Sequence, residues 1–347
     1  MPSNISQIAT YPRVVVNLKH ILRNCQVLGQ AASKLSINLC AVTKGVCAEL
    51  PICETFVESG ISVLGDSRLI NLQKLRHHFG KQVKLMLLRL PALSEIDSVV
   101  RICDYSLVSE KSTLQALNNT AHTLGTTHSV IIMIEMGDRR EGTPLKHLHS
   151  LVKFTLASLS NIKVIGIGTN LSCLNGVVVS PTKVQELLSV RKKLNDEFGL
   201  DLLCSACNSA GIDLLSSNGL NGGKPSASLD LSTKTMILQA EIIELQVKPS
   251  FPDGEIGPNA FGVKQVPKDI GDRTRAIIAI GKQDCVYEQL FPVDSGIVIV
   301  GASSDHLVVD VTSSKITYSV GDIVNFHFAY GAMLSLFTSP YVEKVYL

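Results

Sequence analysis

Between residues 39 and 231, short runs of β-branched and other apolar residues alternate with stretches of helix length. Two parallel strands can be joined only by a long crossover, and a helix is the usual one, so this alternation demands a parallel sheet covered by helices. The runs are 39–43, 61–64, 84–88, 105–108, 130–134, 164–167, 202–204 and, more weakly, 227–231. Eight such strands are enough to close on themselves, and the expected architecture is α/β, an eight-stranded parallel β/α barrel of the TIM type. The competitor is an open doubly wound sheet. That fold normally carries a glycine-rich phosphate loop after its first strand, where this chain has Lys44-Gly-Val-Cys47. Between the runs, apolar residues such as Val184, Leu187, Leu188, Val190 and Leu194 recur at helical spacing ahead of a stop at Gly199.

Beyond about residue 235 the pattern turns to strand-type alternation without helical stretches, as in 237–245 and 307–311. A barrel over residues 1–235 is therefore expected to be followed by a smaller all-β domain over 236–347. The segment 249–271 is rich in Pro, Gly and Asp and reads as a long loop of that domain. The strand-like segment 13–18 precedes the first helix and suits either the barrel or the β domain.

Composition removes several function classes. Hydrophobic residues at 45% and charged residues at 18% are the balance of a globular chain. Lysine and arginine are scattered and the net charge is only +2, so no basic stripe awaits a nucleic acid. The longest apolar stretch, 129–135, is too short to cross a bilayer and ends at Glu135. The amino terminus lacks the basic start and apolar run of a secretory signal, which makes the cytoplasm the expected compartment. Nine cysteines at irregular spacing fit reduced thiols better than a disulfide framework. Cys204 and Cys207 form one Cys-x-x-Cys pair without the second pair that a zinc ribbon needs. The histidine pairs His77-His78 and His147-x-His149 have no acidic or cysteine partners at ligand spacing, so no metal is expected.

In barrels of this kind the chemistry sits at the carboxyl ends of the strands. Those positions are polar here: Lys44, Asp66-Ser67-Arg68, Arg89, Ser109, Glu135 with Asp138-Arg139-Arg140, Thr169-Asn170 and Asn208-Ser209. Lys44 follows a run of apolar and small residues and precedes a glycine. A partly desolvated amine there forms an imine with a carbonyl, as in Schiff-base enzymes. From position alone, a strand-end lysine reaching solvent is an equal reading.

Several blocks carry more than their composition. Tyr11-Pro-Arg-Val-Val-Val-Asn-Leu18, Val42-Thr-Lys-Gly-Val-Cys47, Leu64-Gly-Asp-Ser-Arg-Leu-Ile-Asn-Leu72 and Met86-Leu-Leu-Arg-Leu-Pro91 resemble the alanine racemase superfamily, nearest its ornithine racemase-like branch. Gly137-Asp-Arg-Arg-Glu-Gly142, Gly166-Ile-Gly-Thr-Asn-Leu-Ser-Cys173, Ala240-Glu-Ile-Ile-Glu-Leu245, Gly301-Ala-Ser-Ser-Asp-His306 and Thr338-Ser-Pro-Tyr-Val-Glu-Lys344 extend the likeness in the same order along nearly the whole chain. Each block alone is a weak signal, and the ordered set is a specific one.

The resemblance implies a pyridoxal phosphate-dependent amino-acid racemase. It implies a homodimer in which the barrel holds the cofactor and the β domain of the partner closes the site. Lys44 matches the Schiff-base lysine, which also serves as one of two bases at the substrate α-carbon. Arg140 matches the arginine beside the cofactor's phenolic oxygen, Asn208 and Ser209 the phosphate turn, and Tyr330 a tyrosine donor to the phosphate. Asn170 joins them as a cofactor-side residue. The opposite base of the family is a tyrosine in the β domain, and Lys282 falls at that position, with Asp284 as another candidate. A surface ion-pair partner is the competing reading for Lys282. Ser304 and Asp305 are expected on the substrate side, a structural turn being the alternative. The family-level substrate is ornithine or another basic amino acid, whose distal amine needs a carboxylate from among Asp138, Glu141 and Asp305.

Two departures stand out. The family's Gly-Gly-Asn-Ser turn is replaced by Ala206-Cys-Asn-Ser209, and the segment 211–236 is shorter than in relatives and lacks their Arg-Ile-Gly-Glu stretch. The nearest residues are Ser228-Leu-Asp-Leu-Ser232, which put an aspartate near the ring or leave the alignment without a partner there. A cofactor-binding homologue without turnover is the alternative function. Asn221-Gly-Gly-Lys-Pro225 imitates a phosphate loop, but proline stands where Ser or Thr is required.

Overall fold

The computed structural model describes residues 10–206, 208–215, 229–264 and 267–347. They gather into two compact units. A β/α unit holds residues 21–44 and 48–231, and a β unit holds the described residues up to His20, residues 45–47 and those from Ser232 onward. No helix among the described residues is long and apolar enough to cross a membrane.

The chain enters through β1 (Arg13–Val16) and α1 (Leu18–Ser33), which buries Ile21, Cys25 and Ala32. The β/α unit then runs β2 (Cys40–Val42), α2 (Leu50–Glu58), β3 (Val63–Asp66), α3 (Leu69–Phe79), β4 (Lys84–Leu87), α4 (Ile96–Ile102) and β5 (Tyr105–Val108). It continues with α5 (Lys111–Thr123), β6 (His128–Glu135), the two-residue β7 (Thr143–Pro144), α6 (Leu145–Ser158), β8 (Ile162–Gly168), α7 (Pro181–Phe198) and β9 (Leu203–Ser205). The strands are parallel in the order β2-β3-β4-β5-β6-β8-β9, with β7 beside β6.

Both faces of this sheet are apolar for different reasons. On one face, Leu64, Leu85, Leu87, Val130, Ile132 and Ile134 pack against helix residues such as Leu72, Leu75, Leu114, Leu117 and Val152. On the other, Met86, Leu107, Ile131 and Met133 form a smaller cluster flanked by Cys40, Val63, Leu88 and Ile165. A strand covered on both faces reads as an unbroken apolar run, which is why 130–134 is legible as a strand and not as an alternating one. α7 shows the local rules of a helix start. Pro181 occupies its first position, and the Ser180 hydroxyl accepts a hydrogen bond from the Lys183 N–H at 3.3 Å.

The expected closed eight-stranded barrel is only partly present. Seven of the runs form the parallel sheet, and among the described residues it does not close. Of the weak eighth run, 227 and 228 lie outside the described residues, and Leu229, Asp230 and Leu231 belong to no strand. The edges carry the consequence. Val42 lies two residues from Cys40, and Leu203 alternates with the helix-facing Cys204, so both share the face of the smaller cluster; they are 48% and 58% exposed.

In the β unit, β10 (Met236–Pro249) is the long central strand, followed by β11 (Asp272–Ile278), β12 (Leu290–Pro292), β13 (Val298–Ala302), β14 (Leu307–Asp310), β15 (Ile323–Phe328), α8 (Tyr330–Thr338) and β16 (Glu343–Tyr346). The sheet order is β12-β15-β10-β11-β14-β13. β1 pairs antiparallel with β10 and parallel with β16. Leu238, Ala240 and Ile242 alternate inward along β10, the period of a strand with one covered face. The all-β expectation needs one correction, because α8 lies in this unit. Its short apolar sequence buries Ala332, Leu336 and Phe337 at helical spacing, and a run of that length cannot be assigned to strand or helix by hydrophobicity alone.

Candidate functional site

Lys44 lies two residues beyond the end of β2 and opens a short 3₁₀ turn, Lys44–Val46. Its backbone is fixed by polar groups that the sheet register brings together. Thr43 is fully buried, and its hydroxyl donates to Asp66 Oδ2 at 2.6 Å and to the Gly65 carbonyl at 3.3 Å. Asp66, also fully buried, ends β3 and further accepts from the Arg68 N–H at 2.8 Å and from Asn71 Nδ2 at 3.2 Å. The Thr43 N–H donates to Gly65, and its carbonyl receives the Ala48 N–H at 3.2 Å. Cys47 and Ala48 follow with φ of 48° and 50°. Two consecutive non-glycine residues in the left-handed region cost about 1–2 kcal/mol each, a strain held only by a rigid surround. The Lys44 side chain itself is half-buried, and among the described residues no hydrogen bond or ion pair engages it.

A second polar group sits after β6 and β8. Arg140 pairs with both oxygens of Glu141, through Nε to Oε2 and through Nη2 to Oε1 at 2.7 Å. Asn170 Nδ2 donates to the same Oε1 at 2.6 Å. The turn that presents these residues returns tightly onto β6. At Gly142, with φ of 126°, a Cβ would stand 2.4 Å from the Glu135 nitrogen, so only glycine fits.

Asp138 is turned inward. Burial works to raise its carboxyl, but N–H donations from Leu174, Val177, Asn175 and Cys173 outweigh it and hold the group below the usual carboxylate range. The bonds run from 2.9 to 3.4 Å. With four backbone donors, Asp138 organises the segment after β8 and has little left for a substrate amine.

Asn208 is likewise spent internally: its Nδ2 donates to the Leu171 carbonyl at 2.6 Å, and its Oδ1 accepts the Ala210 N–H at 3.0 Å. Ser209 follows it, exposed, at the start of a 3₁₀ helix, Ser209–Leu215. Between Asn170 and the end of β8 lies Thr169, 5% exposed, whose hydroxyl has no hydrogen-bond partner among the described residues. Its N–H donates to the Ser205 carbonyl at 3.0 Å, which ties β8 to β9.

The β unit brings its own expected residues together on two interlocked turns. The N–H groups of Lys282 and Gln283 donate to the carbonyls of Ser303 and Ser304 at 2.9 and 2.8 Å. Gly281 makes this possible, because a Cβ there would lie 2.3 Å from the Ser304 oxygen. Lys282 Nζ lies 3.9 Å from the Phe261 ring centroid and 5.5 Å from that of Tyr287, so among the described residues aromatic faces and not a carboxylate receive the cation.

Asp305 Oδ1 accepts from Ser304 Oγ and pairs with His306 Nδ1, both at 3.0 Å. The Ser304 bond leads in holding its carboxyl below the usual range. Asp284 is 7% exposed and bound to Ser339 Oγ at 2.9 Å and the Gly281 N–H at 3.4 Å, which makes it a brace inside the turn. Tyr330 opens α8, 53% exposed, where Gln289 Oε1 accepts the Gly331 N–H at 2.6 Å.

Sequence reasoning missed Thr43 and Gln289, marked Thr169 only as a polar strand end, and gave Glu141 a different part. Polar residues at strand ends were visible. Their pairing across neighbouring strands depends on register, which a single sequence does not display.

Comparison with known proteins places this arrangement. Residues 16–221 match the family described as alanine racemase, N-terminal domain. An ornithine racemase from Acetoanaerobium sticklandii is 38% identical, the match covering 96% of this chain and 99% of the relative. A lysine racemase from Thermotoga maritima is 33% identical over 97% of this chain and 98% of its own. Among solved structures, alanine racemase from the D-cycloserine producer Streptomyces lavendulae superposes with a TM-score of 0.73 at 18% identity, covering 97% of this chain and 98% of that one. Alanine racemase from Bartonella henselae with covalently bound pyridoxal phosphate gives 0.71 at 16%, covering 97% and 100%. At those identities the structures speak for the fold alone, whereas the sequence matches span nearly whole chains. This chain belongs to the alanine racemase family of pyridoxal phosphate-dependent enzymes.

Proposed function

We propose that this protein racemises a basic amino acid, ornithine or lysine, using pyridoxal phosphate held on Lys44. The observation that carries the reading is the unengaged Lys44 amine on a strand end clamped by Thr43 and Asp66, in a chain whose curated relatives turn over those two substrates. The residues present suit the cofactor. There is an amine for its aldehyde, a cation at Arg140 and, at Thr169, a buried hydroxyl that no described residue engages. When bound, pyridoxal phosphate withdraws electrons from the substrate α-carbon and so acidifies its proton.

The remaining work falls to the chain's own side chains. Lys44 anchors the cofactor and carries the α-proton on one face, and Lys282 carries it on the other from its place on the aromatic rings. Glu141 and Asn170 hold Arg140 in one orientation, so its charge is aimed before any ligand arrives. Ser209 and Tyr330 donate to the phosphate. Ser304 and Asp305 meet the substrate, and Asp305 is the carboxylate left for a distal ammonium once Asp138 and Glu141 are committed elsewhere. Asp284 serves as a brace and not as a base. We further propose that the parallel sheet closes as a barrel, that the barrel domain extends to residue 235 without the first strand, which joins the β domain of 236–347, and that the protein is a homodimer with a shared site and a cytoplasmic location.

Chiral chromatography after incubation with L-ornithine or L-lysine tests the reaction. Borohydride reduction followed by peptide mapping tests the anchor. Racemisation with the label on Lys44 is expected; unchanged handedness for both substrates rejects the enzyme, and a label elsewhere rejects the anchor. A second reading, a cofactor-binding homologue without turnover, draws on Asn208, whose amide is taken by Leu171. It predicts a labelled Lys44 without exchange of the α-hydrogen in deuterated water.

A further inference from the structure

We propose that the Thr169 hydroxyl is a hydrogen-bond donor to the bound cofactor. The inference rests on the reading that pyridoxal phosphate occupies the β/α unit, and it adds a contact that the sequence likeness did not assign.

Thr169 stands at the carboxyl end of β8, the end at which parallel β/α sheets present ligands. It is 5% exposed, and its Oγ1 has no hydrogen-bond partner among the described residues. Buried hydroxyls are nearly always paired, because removal from water without a replacement bond is costly. Where a threonine is needed only for packing, valine has the same shape without that cost.

The other buried threonines follow this rule. Thr43 donates to Asp66, Thr143 to the Ser109 carbonyl and Thr155 to the Leu151 carbonyl. Thr169 departs from it at a position flanked by residues of the candidate site. Asn170 follows it and reaches Glu141, and Leu171 carries the amide of Asn208. The Thr169 backbone is fixed by its bond to Ser205, so the hydroxyl is held in place with its proton unspent. A preorganised donor of this kind matches the acceptor-rich cofactor, whose phosphate and phenolic oxygens each take several hydrogen bonds.

The test compares Thr169→Val and Thr169→Ser with the parent, each as the full chain, first freed of cofactor with hydroxylamine and then titrated with pyridoxal phosphate by absorbance. Valine is expected to weaken cofactor affinity by about tenfold, the scale of one lost hydrogen bond, and serine to keep it. In the cofactor-free protein the melting temperature of the valine variant is expected to equal or exceed that of the parent, because an unsatisfied hydroxyl has been removed. Equal affinity in valine and parent overturns the inference, as does a valine variant that melts lower without cofactor, which marks the hydroxyl as structural. Failure of the parent to bind cofactor on Lys44 sinks the underlying functional reading instead, so the two failures are distinguishable.

Discussion

Asn170 Nδ2 and Glu141 Oε1 are 2.6 Å apart, and the same oxygen also accepts from Arg140. The carboxylate thus joins two residues that arrive from different strands, and its side chain is only 14% exposed. Glu141→Gln replaces one acceptor oxygen by a donor that faces Arg140. The expected result is a fall of about tenfold or more in kcat/KM, the scale on which a displaced positioning group acts, with a shift in the absorbance of the bound cofactor. Steady-state kinetics and absorbance spectra check it, and an unchanged spectrum with full activity would show that Arg140 needs no such support.

Thr43 and Asp66 hold the strand end that carries Lys44. Thr43→Val removes one donor from a fully buried carboxylate and is expected to cost about 1–3 kcal/mol of stability. Thr43→Ser keeps the bond and recovers most of it. Denaturant unfolding of the two variants measures the difference, and borohydride labelling of Lys44 in each reports whether the amine is still presented.

Gly281 admits no side chain, because the Ser304 oxygen stands where its Cβ would be. Gly281→Ala is therefore expected to push the Lys282 and Asp305 turns apart, at about 1–3 kcal/mol by analogy with overpacked cores. Racemisation should fail while the cofactor still labels Lys44. Loss of labelling as well would mean that the damage reaches further than the two turns.

His128 gives the protein a pH dependence unrelated to catalysis. It is 2% exposed, its Nε2 lies 2.8 Å from Ser106 Oγ, and burial pushes its pKa down to about 4 against a modest opposing pull from Asp104. The unfolded chain then binds the proton more readily than the folded one. The resulting stability is complete above about pH 6.5 and is lost as pH falls toward 4, to the extent of about 3 kcal/mol. Thermal melts of the parent and of His128→Asn across that window check the slope. The asparagine variant should flatten it, and a parallel slope in both would assign acid sensitivity to other groups.

Much of this fold is visible in the chain as written. Runs such as 130–134 and 164–167 mark parallel strands because burial on both faces removes every polar interruption. The segment 330–338 is opaque for the opposite reason, since nine mostly apolar residues satisfy helix and strand alike. The same division holds at the candidate site. Strand-end positions flag Lys44 and Asp66 individually. Their neighbours Thr43 and Asp66 are 23 residues apart, and Glu141 and Asn170 are 29 apart, so each pair exists only once strand register is set. Thr169 is flagged only as a polar strand end, because the lack of a partner for its hydroxyl is a property of its surroundings and not of its spacing.

The position of β1 has a consequence for how the molecule is made. It is bordered on one side by β10 and on the other by β16, with Arg13 opposite both Gln239 and Glu343. While the chain is being translated, β1 therefore leaves the ribosome long before either neighbour exists, and its unpaired edge stays open to stray pairing. The β/α unit draws on earlier residues and has its partners sooner, so assembly of the β unit should set the pace of maturation and be the stage most open to aggregation or chaperone capture.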